Sequence, residues 1–78
     1  MNELISMDSL RVGEKAIVDN ISRESKMRRR FFDIGLTKDS NVECVGVSPM
    51  GDPKAYLIKG AIIAIRAADS SDVLVRRC

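Results

Sequence analysis

The stretch that decides the fold is "MRRRFFDIGL", residues 27–36. Its apolar residues Met27, Phe31 and Ile34 recur at positions i, i+4 and i+7, which is the spacing of one face of an α-helix. Gly35 follows the last of these residues, where helices commonly end because glycine adopts the left-handed conformation at little cost. The stretch therefore predicts one short amphipathic helix that ends at glycine.

Short strand-like runs lie on both sides of this helix. They alternate apolar and polar residues, are rich in β-branched side chains, and are separated by turn residues. The runs are a strand over about residues 14–21 before the helix, then "NVECVGV", "KAYLIK", "AIIAIR" and "VLVRR" after it. About five short strands, with one helix between the first and the second, predict a small, mainly β domain of the SH3-like barrel type.

The composition is that of a small globular domain. The chain has 78 residues, of which 45% are hydrophobic and 31% are charged. No apolar run approaches the roughly 18 residues of a membrane-spanning helix, so we expect no insertion into a membrane. The first residues, "MNELISMDSL", lack the basic start and apolar core of a signal peptide. We expect a single domain over residues 1–78, located in the cytoplasm.

The chain has few of the side chains that most often act in catalysis or bind metals. The chain has no histidine, the residue most often used as a general base and as a metal ligand. Its two cysteines have no metal-ligand spacing. Cys44 lies among valines and is expected in the core, whereas Cys78 is the last residue and is expected to be a mobile free thiol. The sequence predicts a protein that is not an enzyme and has no metal site or cofactor.

Positive charge is concentrated beside and within the predicted helix. Residues 23–30 hold five basic side chains and one acid, whereas the formal charge of the whole chain is only +2. One interpretation is that this is an ordinary solvated helix face. The other is that Arg28, Arg29 and Phe32 form a protein-binding patch, because arginine and aromatic side chains are enriched at interface hot spots.

Nucleic acid and membrane surfaces fit the same stretch less well. Binding to phosphates and bases generally uses a broad basic field and several aromatic side chains, but only 4% of the residues are aromatic. A helix lying on a membrane would need its apolar stripe for lipid, whereas this stripe is needed to close the core. We therefore predict a protein partner rather than nucleic acid.

The segment "SPMGDP", residues 48–53, is a second candidate surface. It could present Met50 at the tip of a recognition loop. The alternative is a rigid connector between strands, since proline and glycine are common in the turns of small β domains. Asp52 alone does not make a metal site.

Four segments together resemble the FeoA family, the small cytosolic accessory proteins of bacterial ferrous-iron uptake. They are "LRVGEKAIVDNI", "RRRFFDIGLT", "VGVSPMGDPKAYLIKG" and "AIIAIRAADSSDVLV", which span nearly the whole chain. The positions that fall on the family's recurring residues are Gly13, Arg29, Asp33, Gly35, Leu36, Pro49, Gly51, Asp52, Pro53, Gly60 and Arg66. Two departures are "TKDS", where the family often has Thr-Pro-Gly, and Ser70 with Ser71, where it often has Glu-Ala.

The resemblance implies an SH3-like β-barrel and a function. The function is that of an accessory protein that docks on the cytosolic, GTPase-bearing region of the FeoB transporter and modulates it. Two alternatives stay open: a regulatory domain that responds to a metal or small ligand, as in iron-dependent repressors, and a free-standing nucleic-acid-binding barrel. Weak self-association through an exposed edge strand is a further expectation.

Overall fold

The computed structural model describes residues 3–78, in which strands are the commonest secondary structure. In chain order the elements are β1 (Leu4–Ser6), a 3-10 turn (Met7–Ser9), β2 (Lys15–Ile21), α1 (Arg28–Asp33), β3 (Asn41–Val47), β4 (Lys54–Ile58), β5 (Ala61–Ile65), α2 (Ala67–Ser70) and β6 (Val73–Arg77). The prediction of a small, mainly β domain is confirmed.

The six strands form one antiparallel sheet in the order β1-β6-β2-β3-β4-β5. The sheet has one strand more than the sequence predicts. The additional strand is β1, whose three residues pair with β6, for example Leu4 with Arg76. Three residues are too few to display an alternating pattern, so β1 has no clear signal in the sequence. Because of β1, α1 lies between the second and third strands.

Hydrogen bonds connect the segment that follows β1 to β4, which is far from it in sequence. The Lys54 ammonium group donates to the carbonyl oxygens of Asp8 and Leu10, the latter at 2.9 Å. The Tyr56 hydroxyl donates to the carbonyl oxygen of Met7 at 3.4 Å. These bonds join the 3-10 turn and Leu10 to β4, whereas β1 lies at the other edge of the sheet from β4 and β5. The two ends of the sheet therefore enclose one core.

The core takes side chains from nearly every element. Its members are buried and apolar: Met7, Leu10, Ala16, Val18, Ile21, Phe31, Leu36, Val42, Cys44, Tyr56, Ile58, Ile65, Val73 and Val75. Cys44 is fully buried, as its valine-rich surroundings predict. Phe31 is the residue of α1 that joins this cluster, so the helix covers the core through one aromatic side chain.

The end of α1 follows the prediction from Gly35. Gly35 has φ of 92°, in the left-handed region that favours glycine. The Leu36 N–H donates to the Phe31 carbonyl oxygen at 2.8 Å, and the Gly35 N–H donates to that of Phe32 at 3.0 Å. This pair of bonds is the Schellman motif, and it places the buried Leu36 against the core.

No helix formed by residues 3–78 is long and apolar enough to cross a membrane.

Candidate partner-binding site

The site is built on α1, and the burial of Phe31 fixes which of its side chains face outward. Each helical residue advances by about 100°, so neighbouring residues cannot point in the same direction. Phe31 is 1% exposed, whereas the next residue, Phe32, is 41% exposed. The helix is anchored to the core by one phenylalanine and displays the other to solvent.

Arg28 and Phe32 lie one helical turn apart and contact each other. The guanidinium carbon of Arg28 lies 4.9 Å from the centroid of the Phe32 ring, which is within the range of a cation–π interaction. Arg28 Nε is buried and has no hydrogen-bond partner among residues 3–78. The arginine is therefore held on the ring by stacking, and its hydrogen-bonding capacity is not used by the described chain.

A cavity of about 450 Å³ opens beside this pair. Its lining residues come from the end of β2, the loop that follows, α1 and the turn before β3; they are Asp19, Asn20, Ile21, Ser22, Arg23, Arg28, Phe32 and Lys38. We call it the basic cavity, because three of these side chains are positively charged and only one is an acid.

The one acid of the basic cavity interacts with other groups. Asp19 Oδ1 lies 3.9 Å from Arg76 Nε. Asp19 Oδ2 accepts a hydrogen bond of 2.9 Å from the side-chain amide of Asn20. Within residues 3–78, no carboxylate lies within ion-pair distance of Arg23, Arg28 or Lys38. The cavity therefore carries positive charge that the described chain does not neutralise by direct contact.

The other two candidate residues of the sequence lie outside this cavity. Arg29 is exposed on α1 but is not one of the cavity-lining residues. Met50 is 90% exposed in the loop between β3 and β4, and it does not line the cavity either. The structure thus brings Arg28 and Phe32 together, with Arg29 on the same helix and Met50 on a separate loop.

The loop that carries Met50 is held by hydrogen bonds. The Ser48 hydroxyl donates to the Asp52 carbonyl oxygen at 2.7 Å, and the Gly51 N–H donates to the Ser48 carbonyl oxygen at 2.8 Å. Asp52 Oδ1 accepts a bond of 2.8 Å from the N–H of Ala67, the first residue of α2. The Asp52 carboxylate therefore ties the loop to α2, and Met50 projects from a fixed turn.

Sequence reasoning missed two of the three basic side chains of the basic cavity, Arg23 and Lys38. Arg23 is part of the basic segment of residues 23–30, but the order of residues in that segment does not show that Arg23 would lie beside Phe32. Lys38 belongs to "TKDS", which shows only a turn. These two residues are 15 positions apart in the numbering, and only the helix between them brings their side chains to one cavity.

Within the part of the chain that the structure describes, no three or more His, Cys, Asp or Glu side chains come together as a metal site would require. A second cavity, of about 420 Å³, lies between α1 and β5 and is lined mainly by apolar side chains. It shares no residue with the basic cavity.

Solved structures similar to this chain agree on one fold. The FeoA-like protein of Clostridium acetobutylicum is 32% identical, with a TM-score of 0.88 over 96% of this chain and 87% of that one. An iron uptake regulatory protein, FeoA, is 26% identical, with a TM-score of 0.83 over 97% of this chain and 99% of that one.

A third structure connects this fold to SH3 domains. The FeoA of Stenotrophomonas maltophilia complexed with zinc is described as a prokaryotic SH3 domain protein. It is 21% identical to this chain, with a TM-score of 0.80 over 91% of this chain and 88% of that one. The SH3-like fold predicted from the sequence is therefore confirmed.

Comparison with family models gives the same assignment from the sequence. No curated protein sequence matches the chain significantly. The model of the FeoA domain matches residues 5–77, which is nearly the whole chain. The chain therefore belongs to the FeoA domain family.

Proposed function

We propose that this protein is a non-enzymatic accessory protein of ferrous-iron uptake that docks on the cytosolic region of the FeoB transporter and modulates it. The surface that we assign to docking is the outer face of α1, with Arg28, Arg29 and Phe32. Met50 lies on a second exposed surface, and its contribution is a separate question for the same experiment.

The observation that carries the proposal is the exposed Arg28–Phe32 pair on a helix fixed to the core. Docking surfaces commonly combine an aromatic or arginine anchor with surrounding charge that steers the approach. Phe32 is 41% exposed although it is a large apolar side chain, and burial under a partner would remove that area from water. The positive charge of α1 would favour a partner surface that carries acidic groups.

The test is the affinity of the purified protein for the cytosolic region of FeoB, measured by calorimetry with and without guanine nucleotide. We expect Phe32→Ala and Arg29→Glu each to weaken binding by about tenfold, since both remove groups from the docking face. Val12→Ala is the matched control, because Val12 is also an exposed apolar residue but precedes β2.

Met50→Ala separates the two candidate surfaces in the same measurement. If only Met50→Ala weakens binding, the loop between β3 and β4 is the docking site and the assignment to α1 is wrong. If folded Phe32→Ala and Arg29→Glu proteins both bind as tightly as the wild type, the assignment of docking to α1 is wrong. Absence of binding in every nucleotide state would contradict docking on the cytosolic region.

A further inference from the structure

We propose that the basic cavity receives the carboxylate side chain of an aspartate or glutamate from a docked partner protein. This inference rests on the proposed docking function and adds to it the chemistry of the partner's anchoring residue. The partner segment would place its acid among Arg23, Arg28 and Lys38 and its apolar atoms against the Phe32 ring.

Charge is the first observation in favour of a carboxylate. Arg23 comes from the loop after β2, Arg28 from α1, and Lys38 from the turn before β3, so the fold collects three positive groups from three segments. In residues 3–78, none of them is paired with a carboxylate, while Asp19 interacts with Arg76. Positive groups that line one cavity repel one another, and an anion bound among them relieves that repulsion.

The setting of Arg28 is the second observation. The contact with the Phe32 ring restrains the guanidinium group of Arg28, which lowers the entropy lost when it binds. A planar guanidinium group presents parallel N–H donors that match the two oxygens of a carboxylate. No hydrogen bond from the Arg28 side chain to another group is found within residues 3–78. Because Nε is buried, the terminal Nη groups are the donors that a ligand can reach.

The exposed ring of Phe32 favours a protein segment over a free inorganic anion. Inorganic phosphate would satisfy the positive groups but would leave the ring in water. An acidic side chain brings its own methylene groups and its neighbouring residues, which cover apolar surface while the carboxylate binds. The combination of three cations and one exposed aromatic ring is thus complementary to an acidic residue within a protein.

The first experiment compares two charge reversals that differ only in their place. Lys38→Glu puts an acid in the basic cavity, whereas Lys26→Glu makes the same change of charge on an exposed residue outside it. We expect Lys38→Glu to weaken binding to the FeoB cytosolic region by about tenfold and Lys26→Glu by no more than about threefold. Equal losses would mean that only long-range charge matters and would overturn the proposal.

The second experiment observes the cavity without FeoB. The acetylated and amidated peptide Leu-Glu-Glu-Leu is titrated into the ¹⁵N-labelled protein, followed by its counterpart with glutamine in place of glutamate. The glutamate peptide should shift the Arg28 Nε–H resonance and the amide signals of Arg23 and Lys38, whereas the glutamine peptide should not. Equal shifts with both peptides, or none with either, would overturn the proposal.

A third titration, with inorganic phosphate, separates the sources of negative charge. Shifts at Arg28 with phosphate but not with the glutamate peptide would overturn the assignment of a carboxylate. Comparison of FeoB binding with peptide binding also separates this proposal from the docking function. FeoB binding that leaves the Arg28 Nε–H resonance unchanged contradicts the carboxylate site alone, whereas peptide binding without FeoB binding contradicts the docking function alone.

Discussion

At the scale of single residues, the burial of Tyr56 predicts how stability depends on pH. Its side chain is fully buried in the core, and burial raises its pKa to about 12, although the nearby Ser70 side chain acts in the opposite direction. The folded state therefore holds the phenolic proton more tightly than the unfolded chain, in which tyrosine titrates near about 10.

This pKa shift predicts a loss of stability in alkali. The contribution of Tyr56 is fully present below about pH 10 and is lost as the pH rises from about 10 to about 12, because only the unfolded chain ionises in that interval. The expected fall in unfolding free energy is about 3 kcal/mol. Chemical denaturation at several pH values measures it, with Tyr56→Phe as the variant that should lack this part of the loss.

The same group can be observed directly. Tyr56 is the only tyrosine and the chain has no tryptophan, so absorbance near 295 nm reports its ionisation alone. Titration of the folded protein with a midpoint near pH 10 would contradict the environment that we describe for this residue.

At the residue scale, the conformation and surroundings of Gly35 also predict the cost in stability of replacing it with alanine. Its φ is 92°, and a Cβ at this position would lie 2.6 Å from Lys59 Cγ. Gly13 has a similar φ of 94° but nothing within 4 Å of the corresponding position. Gly13→Ala should therefore cost about 1 to 2 kcal/mol through backbone strain alone, and Gly35→Ala should cost more because Lys59 must also move.

Thermal or chemical unfolding of the two glycine variants measures this difference. Gly46→Ala is a suitable control, since the nearest atom, Ala55 Cβ, would lie 3.7 Å away in ordinary contact. If Gly35→Ala and Gly13→Ala lose equal stability, the close approach of Lys59 to the end of α1 is wrong.

At the scale of elements, the two phenylalanines of α1 have different functions: Phe31 stabilises the core, and Phe32 is available for binding. Phe31 is buried in the core, so Phe31→Ala should cost about 3 to 5 kcal/mol of unfolding free energy. Phe32→Ala should cost less than about 1 kcal/mol, because Phe32 is 41% exposed and is not a member of the buried core. Urea denaturation of both variants tests this division, and similar losses would contradict the orientation of the helix.

The free edge of the sheet at β5 carries a prediction about self-association. Within the described chain β5 pairs only with β4, and Ile62 on this strand is 69% exposed. Because an exposed edge strand can pair with another chain, we expect weak dimerisation at millimolar concentration. Sedimentation of the wild type and of Ile62→Lys measures it: the variant should stay monomeric, and a wild type that is equally monomeric contradicts the prediction.

The elements also show what the sequence could predict and what it could not. The apolar spacing of α1 and the glycine after it are local signals, so the helix and its end were predictable from ten residues. The three-residue β1 was not, because its pairing with β6 depends on contacts across almost the whole chain. Likewise, Arg28 and Phe32 are neighbours on one helix, whereas Lys38 reaches the same cavity only through the folded turn before β3.

At the scale of the whole molecule, the fold separates a stabilising interior from a charged exterior beside α1. Hydrogen bonds from Lys54 and Tyr56 connect β4 to the segment after β1 across one core, and Phe31 of α1 covers that core. The opposite face of the same helix places Phe32 beside the basic cavity. A docked partner could thus bind this face without disturbing the packing that maintains the fold.

Docking of α1 on FeoB can be observed by an NMR titration of the ¹⁵N-labelled protein with the cytosolic region of FeoB, with and without guanine nucleotide. Docking through α1 predicts amide shifts concentrated at Arg28, Arg29 and Phe32 and extending to Lys38, while signals of β1 stay unchanged. Shifts centred on Met50 instead, or no shifts in any nucleotide state, would contradict it.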